Sequence, residues 1–407
     1  MPIFDQGYQH WKGTLSSRVW RWLIITRQGL RGQLKGWIVR VLLLLAFMPA
    51  LILVTTLAIW GLLEQGTETV IGLLQQMLPP GIIADPHTYR QAVWTISYSI
   101  FFKIELFFIM LLVVIVGQNL ISRDLRFNAL PLYFSRPLTR LDYFLGKLGV
   151  IAALVAAVAV FPAIIAYLLG ICFSLDLGVI RDTWRLLPAS VLYGLIIVVS
   201  AGTLMLALSS LSRRSLYVGV AWIGLWIIGS AVTAALGGIQ RGILFHTIWQ
   251  EEITRGKYVL PDNQPPDPDQ VSPNQNRPNR GPSGQVWQRV QQRVNLAVAE
   301  AAPTDWRPLF SYTANLKRLG EALLNTDAAW VEIGRAIEVP RAALQPILGR
   351  GRSGKPMEES AQINIRRLAD QFVPQYPWIW SACILAGLFG LSLWTLSTHV
   401  KSLDRLK

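Results

Sequence analysis

The chain has 407 residues, of which 52% are hydrophobic and 15% charged, with a formal net charge of +14. Soluble domains carry roughly a quarter of charged residues, and a disordered chain is far less apolar, so both classes are excluded. Two cysteines, Cys172 and Cys383, exclude a disulfide scaffold, and four scattered histidines (His10, His87, His246, His399) form no local metal motif.

In chain order, residues 1–36 come first, basic and rich in tryptophan. On a helical wheel Trp11, Leu15, Val19, Trp22 and Leu30 share one arc, and Arg18, Arg21, Arg27, Arg31 and Lys35 lie mostly opposite. That pattern predicts an amphipathic helix lying in the membrane interface. Six apolar runs follow, at 37–63, 98–121, 148–173, 186–211, 216–239 and 377–398. Each is near the length of about 20 residues that crosses a bilayer, and the first is too long for a cleavable signal. The first carries Arg40 at its edge, the second Lys103 and Glu105, and the last four no charge. Both cysteines fall within spans and read as buried thiols acting as small hydrophobes.

Lys103 and Glu105 are candidates for an intramembrane polar site, because ionisable residues in a span are costly. Two positions apart on a helix, they do not face each other. They are expected within about two turns of the outward end, where a lysine can snorkel. Boundary anchoring is the bland reading, and a polar substrate path the sharper one.

The positive charge is sorted by loop. The N-terminal segment, the 122–147 loop, the 212–215 loop and the C-terminal tail together hold sixteen Lys/Arg, against three (Arg90, Arg181, Arg185) in the alternate short loops. This is the positive-inside pattern for six spans with both termini cytoplasmic. The basic excess therefore requires no nucleic-acid partner. A multi-pass protein of the plasma membrane is expected.

The 240–376 segment, by parity, faces outward. Residues 261–285 are rich in Pro, Asn and Gln and read as an extended linker. Val286, Val290, Val294 and Val298 recur every four residues, as one face of a helix does. With further helical pieces near 313–337 and 357–372, a helical cap on the outer membrane face is expected. Gly349 to Lys355 matches the phosphate-loop spacing, but Pro356 stands where a Mg²⁺-binding hydroxyl belongs and no strand precedes it. No nucleophile, base or metal set suited to catalysis appears, so no catalytic residue, metal or bound cofactor is assigned.

The most informative loop is 117–147, GQNLISRDLRFNALPLYFSRPLTRLDYFLGK. Its apolar residues exceed what a solvated turn needs, Pro137 interrupts any helix, and Thr139 suits an N-cap for the segment entering the third span. Ser122-Arg123-Asp124-Leu125-Arg126, Leu130 to Tyr133, Ser135 to Arg140, and Tyr143 with Gly146-Lys147 resemble the membrane subunit of ATP-binding-cassette exporters of the type 2 class. The N-terminal interfacial helix, six spans and cytoplasmic termini look like that family too. The 239–376 connection is a departure, since the family usually has a short external loop there, often with re-entrant helices.

The resemblance implies an all-α polytopic fold divided into 1–36, 37–239, 240–376 and 377–407. It implies that the 122–147 loop couples to a separate cytoplasmic ATPase, which binds the ATP and magnesium. The residues carried over to that role are Arg123, Asp124, Arg126, Tyr133, Arg136, Pro137 and Arg140. A second permease copy or a related permease would complete the transporter, and 240–376 could recruit an external partner. The rival reading is a non-transporting anchor whose loop docks a soluble complex.

Overall fold

The structure is a computed structural model that describes residues 20–75, 78, 80–130, 133, 138–174, 176–254, 283–338 and 375–403. Among the described residues every regular element is helical, and six helices are long and apolar enough to cross a membrane. They run Trp37–Glu64, Pro86–Arg126, Arg140–Ser174, Gly178–Leu211, Ser215–Glu252 and Trp378–His399, and are called spans 1 to 6. The all-α polytopic fold expected from the sequence is thus observed.

Of the N-terminal helix predicted from the wheel, Trp11, Leu15, Arg18 and Val19 lie outside the described residues. The described part is a helix over Arg21–Leu34. It packs along the start of span 3 at a seam of small residues. A methyl group on Gly146 would meet Ile25 at 2.6 Å and the Trp22 carbonyl at 3.0 Å, and one on Gly149 would strike the Thr26 hydroxyl. Thr26 Oγ1 donates to the Gly146 carbonyl at 3.0 Å. Only glycine lets the backbones come this close.

Span 2 begins at Pro86 rather than near residue 98. Polar residues in its first turns hide it from an apolar search, yet Asp85 caps it by accepting from the Thr88 amide. Lys103 and Glu105 consequently sit deep in the bundle, and not near its end. Glu105 is about 18 Å along the helix from Gly117, and a bilayer's hydrocarbon is about 30 Å thick.

Spans 3 and 4 each contain a π-helical turn, at Ala156–Val160 and Val198–Gly202. Pro162 accounts for the first. A proline ring clashes with the carbonyl four residues back and offers no N–H. Widening the turn accommodates it, and the Phe161 N–H bonds Ala156, five residues back.

Span 5 belongs to one uninterrupted helix, Ser215–Thr254. At 1.5 Å per residue it is about 60 Å long, twice what the hydrocarbon requires. Its far end pairs with a helix over Ser283–Ala301, where Ile248, Val290 and Val294 are buried with Phe245, Trp249 and Val298 packed on them. Arg293 bridges Glu251 and Glu252 at 2.9 Å each. Three of the four valines of the predicted stripe therefore face this partner, while the side chain of Val286 lies outside the described residues. We call this pair the stalk.

The expected outer cap is not simply a cap. The helix Tyr312–Leu324 descends among spans 2, 4, 5 and 6. The Tyr312 hydroxyl bonds Ser200 in mid-span 4 at 2.8 Å, and its ring lies 5.9 Å from that of Trp222 in span 5. Gly229 of span 5 admits the Phe310 carbonyl, which a methyl group there would meet at 2.6 Å. The helix Thr326–Glu338 then packs against span 2. Local polarity suggested a surface location, but Arg318 bonds the Tyr376 carbonyl and Glu321 pairs with Lys103, and these distant partners permit burial. The 357–372 piece, nearly all of the 261–285 linker and the Gly349–Pro356 loop lie outside the described residues.

Cys172 and Cys383 are free and exposed on the outside of the bundle. This corrects the expectation of buried thiols, because both point away from the neighbouring helices toward the surrounding membrane.

Candidate coupling interface and polar sites

One end of the bundle carries the N-terminal helix, the 122–147 loop and Arg213–Arg214, and is called the basic end. Span 2 turns there into a short helix, Ser122–Arg126. The turn is pinned to span 4, since the Ile121 and Ser122 amides both donate to Ser209 Oγ, at 3.1 and 3.0 Å. Asn128 takes a left-handed φ of 48°, which asparagine tolerates, and the chain doubles back to bury Leu130. Thr139 caps the span 3 helix as predicted. It accepts from the Asp142 amide while the Asp142 carboxylate accepts from the Thr139 amide, a reciprocal capping box.

Asp124 is turned inward. Its Oδ2 accepts from the Tyr143 hydroxyl at 2.7 Å and pairs with Lys147 Nζ at 2.7 Å. The Lys147 ammonium also stands 5.4 Å from the Tyr143 ring centre and 5.8 Å from that of Tyr133. Burial first, then the Asp124 charge, pushes the Tyr133 hydroxyl above its ordinary pKa. This group bolts the loop to span 3. Lys147 belongs to the stretch that carries the resemblance but not to the residues assigned to coupling, although its spacing of four from Tyr143 puts both on one helical face.

Arg123, Arg126 and Phe127 face outward, with the Arg126 guanidinium 5.7 Å over the Phe127 ring. Arg140 opens the span 3 helix and is half-buried. Arg136 and Pro137 lie outside the described residues. Between this loop, Gln28 and Gln33 of the N-terminal helix, and Arg213 lies a cleft of about 1010 Å³. Its rim offers guanidinium and apolar groups, suited to an acidic, partly apolar protein surface.

At the opposite end Arg90, only 2% exposed, gathers carboxylates from three elements. It meets Glu64 of span 1 at 2.7 Å, Asp176 at 2.8 Å and Asp182 at 3.2 Å. Its Nη2 also donates to His87 Nδ1 at 2.6 Å. Glu64 accepts further from Trp60 Nε1 and from Ser174 Oγ. The Gly178 amide first, then Arg90, holds the Asp176 carboxyl below the usual carboxylate range. In the sequence Arg90 was only a loop charge. The available signal was that Glu64, Asp176 and Asp182 all fall at span ends on that one side.

In mid-bundle, the structure separates Lys103 from Glu105. Lys103 reaches Glu321 of the descending helix at 3.0 Å, while Arg318 donates to the Tyr376 carbonyl at 2.8 Å and pairs with Asp327 at 3.1 Å. Glu105 faces elsewhere and is fully buried. Among the described residues no cluster of three or more His, Cys, Asp or Glu could hold a metal ion.

Six membrane-spanning helices with a basic, cleft-bearing end define a polytopic membrane protein of the permease type. A sequence-family model described as "ABC-2 family transporter protein" matches residues 28–307, most of the chain, and the chain belongs to that family. It is an ABC transporter permease. The match takes in the second half of the N-terminal helix, five spans and the stalk, and stops before the descending helix and span 6. No curated protein and no solved structure matches the chain.

Proposed function

We propose that the chain is the permease subunit of an exporter, driven by ATP that a separate cytoplasmic ATPase binds with magnesium and hydrolyses. The observation that carries this reading is the basic-end cleft. Three segments that the charge pattern places in the cytoplasm meet there, and Arg123, Arg126 and Phe127 present themselves outward while Asp124 is committed to Lys147. An exposed arginine–aromatic pair on a rigidly bolted loop suits a docking contact, because such residues dominate interface energetics. The chain itself supplies positioning and no catalysis. Pinning of the loop to spans 3 and 4 gives ATPase movement a rigid route into the helices, as a two-state transporter needs.

Span 5 supports pairing with a second permease. Only 17% of its most apolar window is buried within the chain, against 67% for span 4, so its flank is free for a neighbour in the membrane. The stalk supports contact with an external partner.

The test is co-purification of the ATPase and its transport-linked hydrolysis in reconstituted membranes. Arg123→Ala with Arg126→Ala should leave the protein inserted but weaken the complex about thirtyfold or more, the effect of losing about 2 kcal/mol. Asp124→Ala should uncouple hydrolysis by loosening the loop, and Lys401→Ala should be silent. Wild-type behaviour of the loop variants in both assays would reduce the loop to a connector. Docking without any transport would favour the anchor reading.

A further inference from the structure

We propose that Glu105 is a proton-binding site inside the helix bundle, its carboxyl group protonated in this conformation. Its exposure is 0%, and among the described residues neither carboxylate oxygen has a hydrogen-bond partner. The nearest cation along the helix, Lys103, points to the other side and is taken by Glu321.

The side that Glu105 faces follows from Tyr98, two helical turns earlier and so on the same face. The Tyr98 hydroxyl donates to the Ala163 carbonyl of span 3 at 2.8 Å. Spans 2 and 3 run antiparallel, so two turns further along span 2 is two turns back along span 3. That brings Glu105 level with Ala156, where the π-helical turn opens. Around it the side chains of Phe101, Phe102, Leu106 and Ile109 are buried and apolar.

The neighbouring spans carry no counter-charge at this depth. Span 1 has none between Arg40 and Glu64, and span 3 none between Lys147 and Asp176. Span 4 has none between Arg185 and Arg213, its one titratable group at this depth being Tyr193. Span 5 has none between Arg214 and Arg241. Lys317, Arg318, Glu321 and Asp327 belong to the descending helices, on the Lys103 side. An ionised carboxylate left alone at this depth costs several kcal/mol.

Three things relieve such a charge: a paired base, a metal ion or a proton. Among the described residues no base faces it, and a metal needs several donors, which no described cluster supplies. A proton needs a single oxygen. The step is the addition of one proton from water at either face to the carboxylate, giving the neutral acid.

Infrared spectroscopy of the full-length protein in lipid nanodiscs at neutral pH tests this without any partner or cargo. The wild type should show the C=O stretch of an un-ionised carboxylic acid, while surface carboxylates appear only as ionised bands. Glu105→Gln, nearly the same shape, should lose that stretch, and Glu105→Asp should keep it at a shifted frequency. Absence of the acid stretch from the wild type overturns the proposal even if the variants fail to fold. So does an acid stretch that survives in folded Glu105→Gln. A wild-type ionised band that shifts when sodium replaces potassium overturns it in favour of a bound metal cation.

Discussion

Arg90 is buried with its full charge, and it stays so because carboxylates from span 1 and from the 176–182 stretch converge on it. Removing one partner of a buried pair typically costs about 3–5 kcal/mol, since the other charge is left unanswered. Arg90→Ala strands Glu64, whose side chain is 1% exposed, so its unfolding midpoint in nanodiscs should fall by that equivalent. A loss under about 1 kcal/mol would mean that the network behaves like a surface ion pair. Asp176 adds a pH dependence of definite sign. Its folded pKa lies below the unfolded value, so its contribution is complete above the ordinary carboxylate range and is lost as pH falls through the folded value. Wild type should therefore lose stability in acid more steeply than Asp176→Asn, as melting measured across a pH series would show. Neither role was legible from sequence. Asp124 illustrates the same limit, because it belonged to the right loop but its partner, Lys147, is brought to it only by folding.

Whole helices were easier to read than their ends. Spans 1, 3, 4 and 6 stand out as apolar runs because lipid and the packed interior of the bundle both demand apolar side chains, and hydropathy registers either. Span 2 was cut short by its polar first turns, and span 5 by its amphipathic outer half, which is buried against Val290 and Val294 instead of lipid. The descending helix was placed outside because Asn315, Arg318 and Glu321 look like surface residues. Their partners, Leu309 and Tyr376 carbonyls and Lys103, are supplied by other elements. The N-terminal helix gives the clearest element-scale prediction. Gly149→Leu should overfill its seam with span 3, an error that typically costs about 1–3 kcal/mol, and swing the helix away. Hydrogen exchange across Arg21–Leu34 should then run faster in that variant than in wild type, and unchanged exchange would show that the seam absorbs the side chain.

At the scale of the molecule, the two ends of the bundle are chemically distinct. One exposes arginines around a cleft, and the other encloses a single arginine among acids. The sixteen-to-three distribution of Lys/Arg predicts that the first faces the cytoplasm. With Cys172 and Cys383 replaced, single cysteines at Asn274 and Ser402 should respond differently to an impermeant thiol reagent applied to intact cells. Position 274 should label and position 402 should not; labelling of both, or of 402 alone, would invert or break the six-span topology. That architecture was legible because charge and hydropathy are summed over many residues, whereas the sites depend on a few side chains meeting across the chain.

The helix Ser215–Thr254 has a mechanical consequence. It starts beside Arg213 at the cleft and finishes in the stalk, so a tilt at the basic end is carried along its whole length. For a rod of about 60 Å, each degree of pivot at the inner end carries the outer tip sideways by about 1 Å. A pivot too small to disturb packing at the cleft would sweep the stalk through the width of a side chain.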